Sequence, residues 1–93
     1  MTVIWSRHAR DRLNAILEFI GADSVTRASE FCDGFIDAAD RLKSHPFSGP
    51  VLPEDSAYRQ LVINEYRIVY EVTQDIVHIH TIVPPGMTYE HAI

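Results

Sequence analysis

With a single cysteine, the chain can form neither an internal disulfide nor a cysteine metal cluster of its own. That scarcity points to a reducing compartment. Long apolar runs are missing too. No stretch approaches the roughly 18 to 20 apolar residues needed to cross a bilayer. The start of the chain turns basic and polar after Trp5, without the apolar stretch of a secretory signal. Together these absences favour a cytoplasmic protein with no membrane partner. Basic charge is also in short supply: 8 Lys and Arg stand against 13 Asp and Glu, a formal charge of −5. Holding nucleic acid through broad phosphate contacts calls for a basic face. This chain gathers only a small one at Arg7, Arg10 and Arg12, so a protein partner fits better. There is no internal repeat, low-complexity segment or sign of a second domain. With 93 residues and 46% apolar composition, residues 1–93 are expected to form one globular domain.

Thr2 to Trp5 is a short β-branched run, a strand too short to stand alone. Ser6 follows in an N-cap position, and Ala9, Leu13, Ile16, Leu17 and Ile20 recur at helical spacing until Gly21, which predicts a helix over about 7–20. A second helix over about 24–44 is capped at Asp23 or Ser24. Its apolar stripe runs through Ala28, Phe31, Cys32, Phe35, Ile36, Ala39 and Leu42, with Cys32 read as a small core residue. A link of about three residues makes the pair an antiparallel hairpin. Glu30, Asp33, Asp37 and Asp40 form an acidic stripe on the second helix, most simply a solvated face in which Asp37 can pair with Arg41. Residues 45–57 hold three of the five prolines and form a stiff connecting loop.

Tyr58 to Val83 then reads as three strands, about 58–63, 66–73 and 76–83, broken at Asn64-Glu65 and at Thr73-Gln74-Asp75. In the middle strand Tyr66, Ile68, Tyr70 and Val72 point one way, and Arg67, Val69 and Glu71 the other. Pro84-Pro85-Gly86 stops the last strand, and a tail, 87–93, is expected to be mobile. The fold class is therefore α+β: an N-terminal strand, an antiparallel helical hairpin, then a three-stranded antiparallel meander, with the hairpin on one sheet face. No segment is evident to cover the opposite face. Local propensity gives no reason for Arg67 at its centre. Either it lines an open cleft on that face or it pairs with Glu71.

The opening W-S-R-H-A-R-D-R-L, the H-P-F-S-G-P loop and, most specifically, N-E-Y-R-I-V-Y-E-V followed by V-H-I-H-T-I-V resemble the RelE/ParE toxin superfamily of type II toxin–antitoxin systems. The resemblance spans residues 3–83, and the opening and the hairpin look closer to ParE-like members. It implies a toxin neutralised by a cognate antitoxin, without metal or other cofactor, and as a free homodimer or a hetero-oligomer with that antitoxin. ParE-like members poison DNA gyrase. RelE-like members cut messenger RNA in the ribosomal A site, where a base activates the 2′-hydroxyl and cations stabilise the phosphorane. For RelE-like cleavage the resemblance implies Arg67, Arg59, His78, His80 and Tyr89 as catalytic candidates. For partner binding the candidates are Arg67, Arg59, Arg7, Arg10 and Glu71. Relatives often follow the third meander strand with a histidine and then an arginine, where this chain has Pro84 and Met87. Leu61 stands where ribosome-dependent members can carry lysine. With so few cations, a non-catalytic, ParE-like gyrase inhibitor is the leading expectation. A ribosome-dependent endoribonuclease is the first alternative, and a degenerate toxin that only binds antitoxin is the second.

Overall fold

A computed structural model of the chain describes residues 1–93. Its elements are β1 (Thr2–Trp5), α1 (Arg7–Asp23), α2 (Val25–Ser44), β2 (Arg59–Ile63), β3 (Tyr66–Thr73), β4 (Ile76–Val83) and α3 (Tyr89–Ala92). The sheet order is β1-β4-β3-β2. The meander is antiparallel, and β1 lies at the rim parallel to β4. The α+β architecture read from the sequence is the one observed.

Serines set both helix starts. Ser6 accepts from the Ala9 N–H at 3.0 Å and donates from its hydroxyl to the His80 carbonyl at 3.0 Å, so the same residue caps α1 and pins it to β4. Ser24 alone joins the helices: its N–H closes α1 onto the Ile20 carbonyl and its hydroxyl accepts from Arg27 N–H. Gly21 is therefore not the helix stop that its type suggests. It stays helical because Ser24, three residues on, supplies both caps, and a Cβ at Gly21 would touch Ala28 at an ordinary 3.6 Å where the helices cross.

The hairpin between β2 and β3 turns on Asn64 (φ 49°) and Glu65 (φ 71°), two successive left-handed residues that match the twist of the flanking strands. Between β3 and β4, Val69 faces Thr81 and Tyr70 faces Ile79, so His80 is the extra residue of a bulge.

The helices cover one sheet face. There Ala9, Ile16, Phe35, Ala38 and Leu42 pack on Ile68, Tyr70, Val77, Ile79 and Ile82. Phe31 meets Phe35 and Tyr66 edge-on at 4.8 and 4.7 Å. Tyr66 and Tyr70 do belong to this side, as alternation predicts. Cys32 is only half-buried, at the margin of the stripe. In the acidic stripe the ion pair is Asp40 with Lys43 at 3.2 Å rather than Asp37 with Arg41, and both partners are largely exposed.

The far face is not bare. A second cluster of Leu52, Val69, Val83, Tyr89 and Ala92, flanked by Tyr58 and Met87, fills its centre. The cover comes from the proline-rich loop, through Leu52, and from the last residues of the chain, through α3. Two expectations fall here. The face does have a cover within the chain, and the tail packs against it, with Tyr89 and Ala92 buried. No helix is long and apolar enough to cross a membrane.

Candidate functional site

The far face carries most of the candidate side chains. Arg67, the second residue of β3, is held by neither Glu71 nor solvent. Its Nη1 donates to both carboxylate oxygens of Glu54, at 3.0 and 2.9 Å, and to Gln60 Oε1 at 3.3 Å. Glu54 reaches it because the loop crosses the far face to seat Leu52, and an acid on the loop meets the one arginine of β3. Glu71 instead stands opposite His78 across the ladder.

Arg59, at the start of β2, turns back onto the loop. Its Nη1 donates to the Gly49 carbonyl at 2.8 Å, and its guanidinium lies 5.1 Å from the Phe47 ring centroid. The Gly49 N–H in turn donates to the buried Tyr70 hydroxyl at 3.0 Å. Burial raises the Tyr70 pKa above its ordinary 10.0, while the Gly49 bond and the Arg59 charge pull the other way. Gly49 is required by this approach: a Cβ there would run into the Gln60 backbone carbonyl and lie 2.8 Å from the Tyr70 hydroxyl.

The histidines are half-buried rather than free. His80 stacks on Tyr58 with centroids 4.6 Å apart and planes 11° from parallel, and Tyr89 lies 6.4 Å away. Burial lowers the His80 pKa below 6.5, and the nearby His8 adds to that, with Glu71 and Asp55 opposing it. His78 exchanges a hydrogen bond with Thr73 Oγ1 at 3.0 Å. Tyr89 is buried, and its pKa is raised above 10.0 first by burial and then by Tyr58, Asp55, Glu54 and Glu90.

A latch invisible to local pattern holds the tail. The buried Thr81 hydroxyl donates to the Ala92 carbonyl at 2.7 Å. His8 Nε2 bonds that carbonyl and lies 3.0 Å from Thr81 Oγ1, a contact that requires the proton on Nε2. Arg12 donates to the carbonyls of His91 and Ala92 at 2.8 and 3.3 Å. Cations and donors converge on the carbonyl end of α3, which favours positive charge.

The structure thus brings Arg67, His78, His80 and Tyr89 together on one face, while Arg59, opposite Tyr70 in the ladder, lies at the rim of the helix-covered face, and each is engaged by the chain itself. Arg7 and Arg10 are exposed on α1. No cluster of three or more metal-ligating side chains forms. Open apolar surface lies elsewhere, at the end of the molecule where α1 meets α2. A trough of about 550 Å³ there is mixed in character: Ile20, Phe31 and Pro85 form its apolar part beside Phe19, which is 78% exposed, and Asp23, Arg27, Glu30 and Glu65 bring charge to it. Sequence reading missed Glu54, Leu52, His8 and Thr81. Only Gly49, flanked by Ser48 and Pro50, carried a local signal.

Three comparisons bear on this arrangement. The sequence profile of a family described as the ParE toxin of type II toxin–antitoxin system, parDE, matches residues 3–89. No curated protein matches in sequence. Among solved structures, a chain of a chromosomal ParDE toxin–antitoxin system from P. aeruginosa is similar in fold, with a TM-score of 0.78 at 18% identity. The match covers 92% of this chain and 97% of that one.

Proposed function

The chain belongs to the ParE toxin family of type II toxin–antitoxin systems, and from that premise we propose that it is a non-catalytic toxin that arrests DNA gyrase through protein contacts and is neutralised by a cognate antitoxin. The observation that carries this reading is the state of the far face. RNA cleavage without a metal needs a base, an acid and free cations around an open phosphate position. Here Arg67 is bound by Glu54 and His80 lies under Tyr58, while Arg59 is turned to the other side of the sheet, where the Gly49 carbonyl holds it. Leu52, Tyr89 and Ala92 pack over the centre of the far face. A formal charge of −5 further disfavours a ribosomal RNA surface.

The surfaces left for protein partners are the mixed apolar and charged trough beside Phe19 and the exposed Arg7 and Arg10 on α1. An antitoxin segment that sets an apolar anchor beside Phe19 and Phe31 and brings charged groups to Asp23, Arg27, Glu30 and Glu65 suits the first. The test is DNA supercoiling by purified gyrase in the presence of the purified toxin. Inhibition that is relieved by the product of the adjacent antitoxin gene supports the reading. Unimpaired supercoiling, with cuts appearing in translated messenger RNA, would replace it with the endoribonuclease alternative.

A further inference from the structure

The two rims of the sheet are finished differently. Outside β2 the chain supplies its own cover: Gln60 donates its backbone N–H to the Pro50 carbonyl, and Leu52 donates to the Tyr58 carbonyl, both at 2.9 Å. Val51 also bridges Arg59 there. At the other rim β1 has no equivalent. Thr2 N–H donates to the Asp75 carbonyl at 3.1 Å and Ser6 N–H to the Ile79 carbonyl at 3.0 Å. Backbone groups of alternate residues turn the same way along a strand. Thr2, Ile4 and Ser6 therefore bond β4, and Val3 and Trp5 aim their N–H and C=O groups away from the sheet. Edge strands are usually guarded by lysine, proline, charge or a bulge. T-V-I-W has none of these, and Ile4 remains 44% exposed.

We propose that β1 is a self-association edge, on which β1 of a second copy pairs antiparallel about a twofold axis at Ile4, joining the two sheets into one. The pattern of free groups selects this register. Val3 of each copy meets Trp5 of the other as a hydrogen-bonded pair, and Ile4 meets its counterpart in the non-hydrogen-bonded position, where Cα atoms approach to about 4.5 Å. All of these pairs are apolar. The Val3–Trp5 pairs lie on the helix face, where aromatic and β-branched partners stabilise a sheet, and the Ile4 pair lies on the far face. A slip by one residue would set outward groups against inward ones. Centring on Val3 would recruit Met1, whose amino group is already on the Lys43 carbonyl at 3.2 Å. Because each copy carries a charge of −5, repulsion opposes pairing, and added salt strengthens it by screening.

Trp5 is the only tryptophan in the chain, so its emission reports directly on the seam. The experiment is sedimentation equilibrium with Trp5 fluorescence over a dilution series, at low and high salt, for wild type and Ile4→Lys. Ile4→Lys sets two ammonium groups together at the axis while leaving the β1–β4 ladder untouched. The expected result is a mass that doubles with concentration, more readily at high salt, with Trp5 emission shifting to the blue. Ile4→Lys stays single at every concentration, with a melting temperature equal to that of wild type at dilutions where wild type is single. A wild type that stays single with constant emission overturns the proposal, and so does an Ile4→Lys chain that doubles as readily. Should that variant fail to fold, amide exchange in the wild type decides. Protection of Val3 and Trp5 that grows with concentration supports self-pairing. Protection without concentration dependence, or only on adding antitoxin, contradicts it and in the latter case assigns the edge to a partner strand.

Discussion

Glu54 reaches across the far face to hold Arg67 at 2.9 Å, and this contact ties the proline-rich loop to the centre of the sheet. Side chains of the pair are 22% and 30% exposed, so the bond is partly screened and lies nearer the surface class than the buried one. Glu54→Gln is expected to lower stability by about 1 kcal/mol or less in urea titration. That loss should shrink further at high salt. A loss of several kcal/mol would place the pair in a drier setting than its exposure indicates.

Gly49 is the tightest point of the same loop. A methyl group there meets backbone at Gln60 and the fixed Tyr70 hydroxyl, neither of which can swing away. Gly49→Ala should therefore lower stability by about 1–3 kcal/mol, the usual range for overpacking. Thermal melts of the two proteins measure it, and an unchanged midpoint would show that the loop can shift as a unit.

The His80 stack carries a pH dependence of definite sign. Its pKa is lowered from 6.5 in the folded chain, so as pH falls below that value the unfolded state takes up the proton first. The stability contributed by neutral His80 is complete above 6.5 and is lost as pH drops through 6.5 toward the lowered folded value. His80→Phe keeps an aromatic partner for Tyr58 and should flatten the acid side of the stability curve. Melts across the mildly acidic range test this, and an equally steep loss in the variant would assign it to another group.

Thr81 and the Ala92 carbonyl make the tail resistant. Thr81→Val keeps the shape and removes the buried donor, which is expected to cost about 1–2 kcal/mol at the latch. Limited proteolysis should then cut the segment after Met87 in the variant while sparing it in the wild type. Equal resistance in both would mean that the Tyr89 and Ala92 packing alone holds the tail.

Much of this fold is written in local pattern. The stripe from Ala28 to Leu42, the alternation from Tyr66 to Val72 and the Asn64-Glu65 break each specify an element through its period or its turn chemistry, and the hairpin and meander follow. The cover of the far face is not written that way. Leu52 sits in V-L-P-E-D, which has no period. Thr81 lies in an apolar strand, where its hydroxyl has no partner until Ala92 folds back over it. Arg67 was legible as an anomaly in its strand, but its partner was not, because Glu54 is 13 residues away on a loop whose path only tertiary packing decides. Gly21 misled for a related reason: a glycine signals a helix end only when no better cap follows, and Ser24 is a better cap.

The most direct test is growth arrest by a chain stripped of its candidate acid and base groups. His78→Ala, His80→Phe and Tyr89→Phe together leave the Arg67–Glu54 contact and the packing surfaces in place. If the toxin works by protein contacts, induction of this variant, with a melting temperature close to wild type, arrests growth as fully as the parent does. Arrest abolished in a variant of undiminished stability would mean that those side chains do chemistry and that the non-catalytic account is wrong.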